Sequence, residues 1–204
     1  LSLGEWDYGA DDDAGANDDL AREAAGLTAL DALAAEVAAA GPPRGAALRR
    51  ALFDGPVAFV GDSDDYYAPR NSMLGVVLAR RRGLPITLTV LAMEVGRRIE
   101  LTVEPIALPG HVVARIAAAD GAPALTIDPF HQGRVLVDGP TGLAALAPRA
   151  LVARMLRNLA GSYGRTGDLW RSLEVLERMA IVEPDDGRLL AERDRLRERV
   201  RELN

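Results

Sequence analysis

The sequence predicts an α+β fold, because segments with helical periodicity come first, segments with a period of two follow, and helical periodicity returns at the end. Residues 85–99 are apolar nearly all round, which is typical of a helix buried inside a domain. Residues 102–137 alternate around the strong turn Asp120-Gly121, so we expect antiparallel strands there. We divide the chain into a flexible acidic segment at 1–27, an α+β core at 28–147 and a helical region at 148–204.

The composition excludes several classes of function. A net charge of −6 over 204 residues argues against a general surface for nucleic acid, since phosphate binding needs a dense basic patch. It contains no cysteine, which rules out disulfides, thiolate metal sites and a cysteine nucleophile. No apolar run reaches the length of a membrane span, and the start is acidic where a signal peptide would be basic. We therefore expect a cytoplasmic protein that does not enter a membrane.

Two helices are predicted in the first quarter of the chain. Residues 1–19 are acidic and poor in apolar side chains, so we expect a flexible lead-in. Thr28 and Asp31 resemble a capping box, and apolar residues at helical spacing follow as far as a Gly-Pro-Pro sequence. A shorter helix is expected at 46–53. The next segment, 57–62, is too short to assign.

A third helix is predicted immediately before the buried one. Asn71 is well placed as its N-cap, because Pro69 disfavours helix just before it and an apolar stripe begins at Met73. Three consecutive arginines and Gly83 are typical of the carboxyl end of a helix. Pro85 suits the first turn of the helix that follows.

The predicted strands place two potentially reactive side chains at their ends. Strands are expected at 102–108, 111–117, 124–127 and 134–137. His111 follows the turn Pro109-Gly110, and Asp128 directly precedes Pro129. We expect the buried helix to present its amino end to both side chains.

The chain is predicted to be helical again from Pro148. An apolar and glycine pattern matches the spacing of a tetratricopeptide unit, with residues Leu156, Leu159, Tyr163, Gly167, Leu176 and Pro184. A last helix is expected at 188–203. Because about three such repeats are needed for independent stability, this single hairpin is predicted to pack against the preceding core.

Four motifs occur in order along the chain. They are 65–72 (DYYAPRNS), 82–89 (RGLPITLT), 109–111 (PGH) and 127–130 (IDPF), followed by the tetratricopeptide-like tail. Together they resemble the SirB-type branch of the transglutaminase-like superfamily, over roughly residues 28 to 186. The resemblance implies a papain-like α+β core in which a residue at a helix amino end, a histidine on a strand and an acidic residue form a triad.

In such a triad the helix dipole favours the nucleophile, the histidine takes its proton, and the carboxylate fixes the histidine tautomer. His111 and Asp128 match the last two roles. Because the chain has no cysteine, the nearest candidates for the nucleophile are Thr87 and, less well placed, Thr89. Each residue also has a structural interpretation: Thr87 as a local backbone hydrogen-bonder, His111 as a satisfied polar residue and Asp128 as a turn former.

Two main functional hypotheses follow. The favoured one is a non-catalytic transglutaminase-like domain that binds a protein or peptide partner with the help of its C-terminal helices. The alternative is a hydrolase or acyltransferase that uses Thr87, His111 and Asp128. The alternative requires Thr87 Oγ1 within hydrogen-bonding reach of a His111 ring nitrogen. A blander possibility is a scaffold that uses only its charged surface.

Other side chains are assigned by chemistry alone. Tyr67, Arg70 and Asn71 are candidate binding residues; the last two suit a carboxylate or phosphate, although Asn71 also suits a structural cap. His131 is predicted to be incidental. With two histidines and no cysteine, no residues have metal-ligand spacing, so no metal is predicted. No cofactor is predicted either.

Overall fold

The computed structural model describes residues 15–137 and 142–203 and shows a mixed helical and sheet architecture. The helices are α1 (Gly15–Ala39), α2 (Arg44–Phe53), α3 (Leu74–Arg80), α4 (Pro85–Arg98), α5 (Pro148–Thr166), α6 (Leu169–Val182) and α7 (Gly187–Glu202). The strands are β1 (Val60–Gly61), β2 (Arg82–Gly83), β3 (Val103–Leu108), β4 (His111–Ile116), β5 (Leu125–Asp128) and β6 (Arg134–Val135). Two short 3-10 helices cover Pro69–Ser72 and Pro129–His131.

Helix α4 is the buried centre of the core, as its apolar sequence predicts. Leu88, Leu91 and Val95 are fully buried and belong to the cluster formed with α1, α2, α3 and the sheet. Pro85 occupies the first turn of α4, where its missing N–H would have had no helical partner. The helix is therefore enclosed on several sides, and its amino end is held in a fixed place.

The predicted antiparallel strands are present in the order β3-β4-β5-β6. Leu108 pairs with His111 across a tight turn, in which Gly110 adopts a positive φ of 68°. A separate parallel pair joins β1 to β2, with Val60 opposite Arg82. This pair explains the unassigned segment 57–62: a strand of two residues leaves no periodicity in the sequence. The predicted end of β6 at 138–140 lies outside the described residues.

The start of the first helix differs from the prediction. Helix α1 begins at Gly15, so Thr28 lies inside it and its Oγ1 donates to Ala24 O at 2.9 Å instead of capping. The alanine-rich sequence around it favours helix, and this preference extends the helix into the segment predicted to be flexible. Residues 1–14, the acidic lead-in, lie outside the described part of the chain.

The boundaries of α3 also differ from the prediction. Asn71 lies in the preceding 3-10 helix, and Met73 is at the N-cap position of α3 without a side-chain capping bond. At the other end, Arg81 adopts the left-handed conformation with a φ of 57°, while Gly83 pairs in β2. Asn71 is used elsewhere because its side chain is fully buried and hydrogen-bonded.

Helices α5, α6 and α7 form the C-terminal region. Gly167 ends α5 with a φ of 80°, and the side chain of Asp168 accepts a hydrogen bond from Arg171 N at 3.0 Å to cap α6. Leu151 and Met155 of α5 pack against apolar residues of α4 and β4 in the core. Across the described residues, no helix combines the length and apolar character that crossing a membrane requires.

Candidate functional site

His111 and Asp128 meet at one end of the antiparallel sheet. His111 is the first residue of β4, and Asp128 is the last residue of β5. Because Ala114 pairs with Ile127, continuing this register sets Asp128 opposite Val113, on the sheet face that His111 shares. His111 Nε2 lies 3.0 Å from Asp128 Oδ1. The hydrogen bond therefore orients the imidazole and turns Nδ1 away from the carboxylate.

The carboxylate of Asp128 is tightly held. Only 4% of its side chain is exposed, and Oδ1 accepts hydrogen bonds from the backbone N–H groups of Phe130 at 3.1 Å and His131 at 3.4 Å. Burial raises the pKa of the Asp128 carboxyl, but hydrogen bonds from His111 and His131 outweigh burial and lower this pKa to about 2. Asp128 is therefore a fixed negative charge at neutral pH.

His131 belongs to the same site, contrary to the sequence-based prediction that it is incidental. Its Nδ1 lies 2.7 Å from Asp128 Oδ2, so one carboxylate contacts two imidazoles. The Asp-Pro start of the 3-10 helix brings the residue three positions later back over the Asp128 side chain. The Asp-Pro-x-His spacing is the sequence signal for this contact.

Thr87 does not complete a triad in this structure. It is the third residue of α4 and fully buried, and its Oγ1 has no hydrogen-bond partner in the described parts of the chain. The hydrogen bond to His111 that the enzymatic alternative needs is thus not formed. Nor does Thr87 bond the local backbone, whereas Thr89 Oγ1 donates to Pro85 O at 2.9 Å. In a helix, a threonine hydroxyl usually donates to the carbonyl four residues earlier. For Thr87 this acceptor is Gly83 O, which already accepts a hydrogen bond from the backbone N–H of Asp62.

Comparison with known proteins identifies the family. Residues 24–141 match the sequence profile of the transglutaminase-like superfamily. The chain belongs to this superfamily. The match covers α4, the sheet and the paired His111 and Asp128, so these residues are parts of a transglutaminase-like domain.

The relatives include proteins from bacteria and mammals. A UPF0162 protein of Xylella fastidiosa is 34% identical over 172 residues, which cover 74% of this chain and 60% of the relative. A UPF0162 protein of Pseudomonas aeruginosa is 27% identical over 142 residues, 62% of this chain and 51% of the relative. F-box only protein 21 of Mus musculus is 29% identical over 170 residues, 74% of this chain and 27% of the relative. The chain thus spans less than two thirds of each of these relatives. No solved structure matches it.

A buried polar network supports the loop beside the transglutaminase-like site. Asp62 is 2% exposed, and its Oδ2 accepts a hydrogen bond from Arg80 at 3.0 Å. Arg80 also donates to Asn71 Oδ1 at 2.9 Å, while Asn71 Nδ2 donates to Asp65 O at 2.7 Å. Fully buried and bonded at both ends, Asn71 holds the loop and is out of reach of a ligand. Asp62 and Arg80 were missed because they are 18 residues apart in sequence.

The two other predicted binding residues are accessible. Arg70 is exposed and forms an ion pair with Asp65. Tyr67 is 52% exposed, and the guanidinium of Arg165 lies over its ring at 4.1 Å from the centroid. Since Arg165 comes from α5, this contact brings the C-terminal helices beside the transglutaminase-like domain.

Aromatic side chains connect Tyr67 to the His111–Asp128 pair. Tyr66 contacts Tyr67 edge to face with centroids 5.1 Å apart, and Phe130 lies 5.8 Å from Tyr66. Phe130 in turn contacts His131 at 5.2 Å. We call Tyr66, Tyr67, Phe130 and His131 the aromatic patch. The aromatic patch connects the His111–Asp128 pair to the solvent-exposed rings of Tyr67 and His131.

Proposed function

We propose that this transglutaminase-like domain binds a protein or peptide segment and does not catalyse acyl transfer. One observation carries the proposal: the hydroxyl of Thr87 is buried without a hydrogen bond to any described group, in a chain that has no cysteine. Acyl transfer by such a site needs a nucleophile bonded to its base. His111 is bonded to Asp128 but not to Thr87, so the orienting half of a triad is present without the reacting half.

The aromatic patch supplies the binding surface. Tyrosine and arginine are among the side chains that most often dominate binding energy. Tyrosine offers a large contact area with little conformational entropy to lose. Tyr67 and Arg165 are stacked and exposed, with Phe130 and His131 beside them. An extended peptide across this surface would meet rings, a guanidinium and the imidazole of His111.

We also propose that the chain lies in the SirB-type branch and that its tail is a tetratricopeptide-like hairpin. The sequence motifs support the first point. The second is supported by α5 and α6, which are joined at Gly167 and Asp168 and share a buried cluster with Leu156, Tyr163 and Leu176. Arg165 at the end of α5 then links this hairpin to the aromatic patch.

Catalysis is tested with the intact chain. A fluorophosphonate probe and an amine-incorporation assay on a glutamine-containing protein should both give no signal above that of Thr87→Ala. Labelling of the wild type that disappears in Thr87→Ala would overturn the non-catalytic assignment.

Binding is tested by selecting displayed random dodecapeptides on the wild-type chain and measuring the enriched sequences by fluorescence anisotropy. Tyr67→Ala should weaken the binding of these peptides at least about tenfold, as expected for a residue at the centre of a binding surface. Trp170→Ala is the matched control, because Trp170 is 58% exposed on α6 and has no ring contact with the patch among the described residues. Failure to enrich any peptide, or equal losses in both variants, would contradict the proposal. Point substitutions are preferred to deletion of the tail, since α5 covers part of the core.

A further inference from the structure

His131 adds to the His111–Asp128 pair a second imidazole that transglutaminase-like chemistry does not account for. One nitrogen of each ring and a carboxylate oxygen all lie within 4.8 Å of one another. The sheet brings His111, at the start of β4, to Asp128 at the end of β5, and the 3-10 helix after β5 folds His131 back onto Asp128. A triad would need only one histidine on the carboxylate, whereas Asp128 contacts two.

The protein holds these three groups at different degrees of exposure. Asp128 is 4% exposed and anchored by two backbone N–H groups, so its carboxylate is fixed and negative. The side chain of His111 is 24% exposed, and that of His131 is 55% exposed. An ion can therefore reach the carboxylate from the His131 side, and water can fill any coordination position that the protein leaves open.

We propose that His111, Asp128 and His131 bind a divalent transition-metal ion of the Zn²⁺ class. Two imidazoles and one carboxylate are a donor set that such ions prefer, and three protein ligands plus water complete a tetrahedral site. Ligand atoms about 2.1 Å from one ion stand roughly 3 to 4 Å apart. His111 Nε2 lies 3.0 Å from Asp128 Oδ1 and His131 Nδ1 lies 2.7 Å from Oδ2, so each carboxylate oxygen faces one ring. These separations are at or just below that range, so the side chains need to move apart only slightly to admit an ion.

The protons balance without a further reactant. In the metal-free protein, the ring nitrogens that face Asp128 donate their hydrogens to its oxygens. To bind a metal through those nitrogens, each ring must carry its proton on the other nitrogen, which for a neutral imidazole is a change of tautomer. The ion then takes the place of the two shared hydrogens, and the carboxylate keeps its charge.

One cation competes with the ion. The guanidinium of Arg134 lies 3.8 Å from Asp128 Oδ2, and its side chain is 64% exposed. Because it is exposed, Arg134 can turn towards solvent when an ion binds. Removing its charge leaves all three ligands in place, so Arg134→Gln should tighten binding.

The test uses the untagged chain of residues 1–204 after dialysis against a chelator. Zn²⁺ binding is measured by calorimetric titration and by competition with a chromophoric chelator. We expect one Zn²⁺ per chain and a Co²⁺ derivative with the visible absorption of a tetrahedral site. His131→Ala and Asp128→Asn should each weaken binding at least about tenfold. Losing a residue that is only hydrogen-bonded to a metal ligand already costs about that much, and losing a ligand itself should cost more. Arg134→Gln should bind more tightly. Asp185→Asn, which changes an exposed carboxylate in the turn between α6 and α7, should bind as the wild type does.

The outcomes separate this proposal from peptide binding. His131→Ala is expected to fold, since its side chain is mostly exposed, and circular dichroism checks this. Fewer than one Zn²⁺ per chain, or equal affinities in wild type and folded His131→Ala, would overturn the metal site. Tyr67→Ala should leave Zn²⁺ affinity unchanged, so loss of peptide binding and loss of metal binding are distinguishable.

Discussion

Gly61 of β1 lies directly against the ring of Phe130, and a methyl group added at Gly61 would overlap that ring. Phe130 also donates its backbone N–H to Asp128 Oδ1. The parallel pair of β1 and β2 therefore supports the site through the contact between Gly61 and Phe130. Glycine is required here by space, because no side chain fits between β1 and the 3-10 helix.

Gly61→Ala should therefore disturb the site as well as the fold. We expect a loss of about 1 to 3 kcal/mol in the free energy of unfolding, because Phe130 must move out of a packed position. Chemical denaturation measures the loss, and the imidazole NMR signals of His111 and His131 report the site. Gly161→Ala is the control: it lies in α5 with no neighbouring atom near the added methyl, and should be neutral or slightly stabilising. Unchanged stability and imidazole signals in Gly61→Ala would contradict this packing.

Thr87 and Thr89 form a natural comparison on one buried helix. Both are fully buried, but Thr89 Oγ1 donates to Pro85 O at 2.9 Å while Thr87 Oγ1 has no partner within the described residues. A buried hydroxyl without a hydrogen bond costs about 1 to 3 kcal/mol. Thr87→Val should therefore leave the free energy of unfolding unchanged or raise it by about 1 kcal/mol, whereas Thr89→Val should lower it by up to about 1 kcal/mol. A larger loss in Thr87→Val than in Thr89→Val would show that Thr87 has a partner.

Most of the fold could be predicted because its signals are local. Helix α4 and strands β3 to β5 leave continuous periodicities, and Asp120-Gly121 and Gly167 mark turns through their own conformational preferences. Helix α1 begins earlier than the capping pattern at Thr28 predicts, because the helix propensity of the preceding alanines extends it towards the amino terminus. Strands β1 and β2 have two residues each and depend on long-range pairing, which no local pattern records.

The site could be predicted only in part. His111 and Asp128 stand beside proline and glycine in motifs, so each is visible in sequence. His131 was missed because its role depends on a 3-10 turn that folds it back onto Asp128. Asp62 was missed because its partner Arg80 is distant in sequence. Burial and long-range pairing decide these roles, and neither can be read from residue type.

The ionisation of Asp62 should make part of the free energy of unfolding depend on pH. Burial raises the pKa of this carboxyl, but the hydrogen bond from Arg80 and other contacts outweigh burial, so the folded pKa lies below the ordinary 3.8. A group with a lowered folded pKa stabilises the fold above its unfolded pKa, and this contribution is lost as the pH falls through the folded value. The stabilisation from Asp62 is thus complete at pH 7 and decreases below about pH 3.8.

Asp62→Asn tests this by urea denaturation at pH 7, 4 and 3. At pH 7 we expect Asp62→Asn to lower the free energy of unfolding by roughly 2 to 4 kcal/mol, because the partly buried Arg80 loses its anionic partner. The difference from the wild type should shrink at pH 3. Asp64→Asn is the control at pH 7, because that side chain is 85% exposed and its loss should change the unfolding free energy by less than about 1 kcal/mol. A pH-independent difference for Asp62→Asn would contradict the assigned ionisation.

The contact between α5 and the core should make the two regions unfold together. Leu151 is 7% exposed and packs in one cluster with Ile86 of α4 and Val112 of β4. Leu151→Ala should lower the free energy of unfolding by about 2 to 4 kcal/mol, because it opens a cavity between the two regions. Ile181→Ala is the matched control, since Ile181 of α6 is 81% exposed and its truncation removes almost no buried area. In a Trp6→Phe background, where Trp170 of α6 is the remaining tryptophan of the sequence, denaturation followed by fluorescence and by circular dichroism should give coincident transitions. Separate transitions in the wild type would show that the helical region is stable alone and that its packing on the core contributes little.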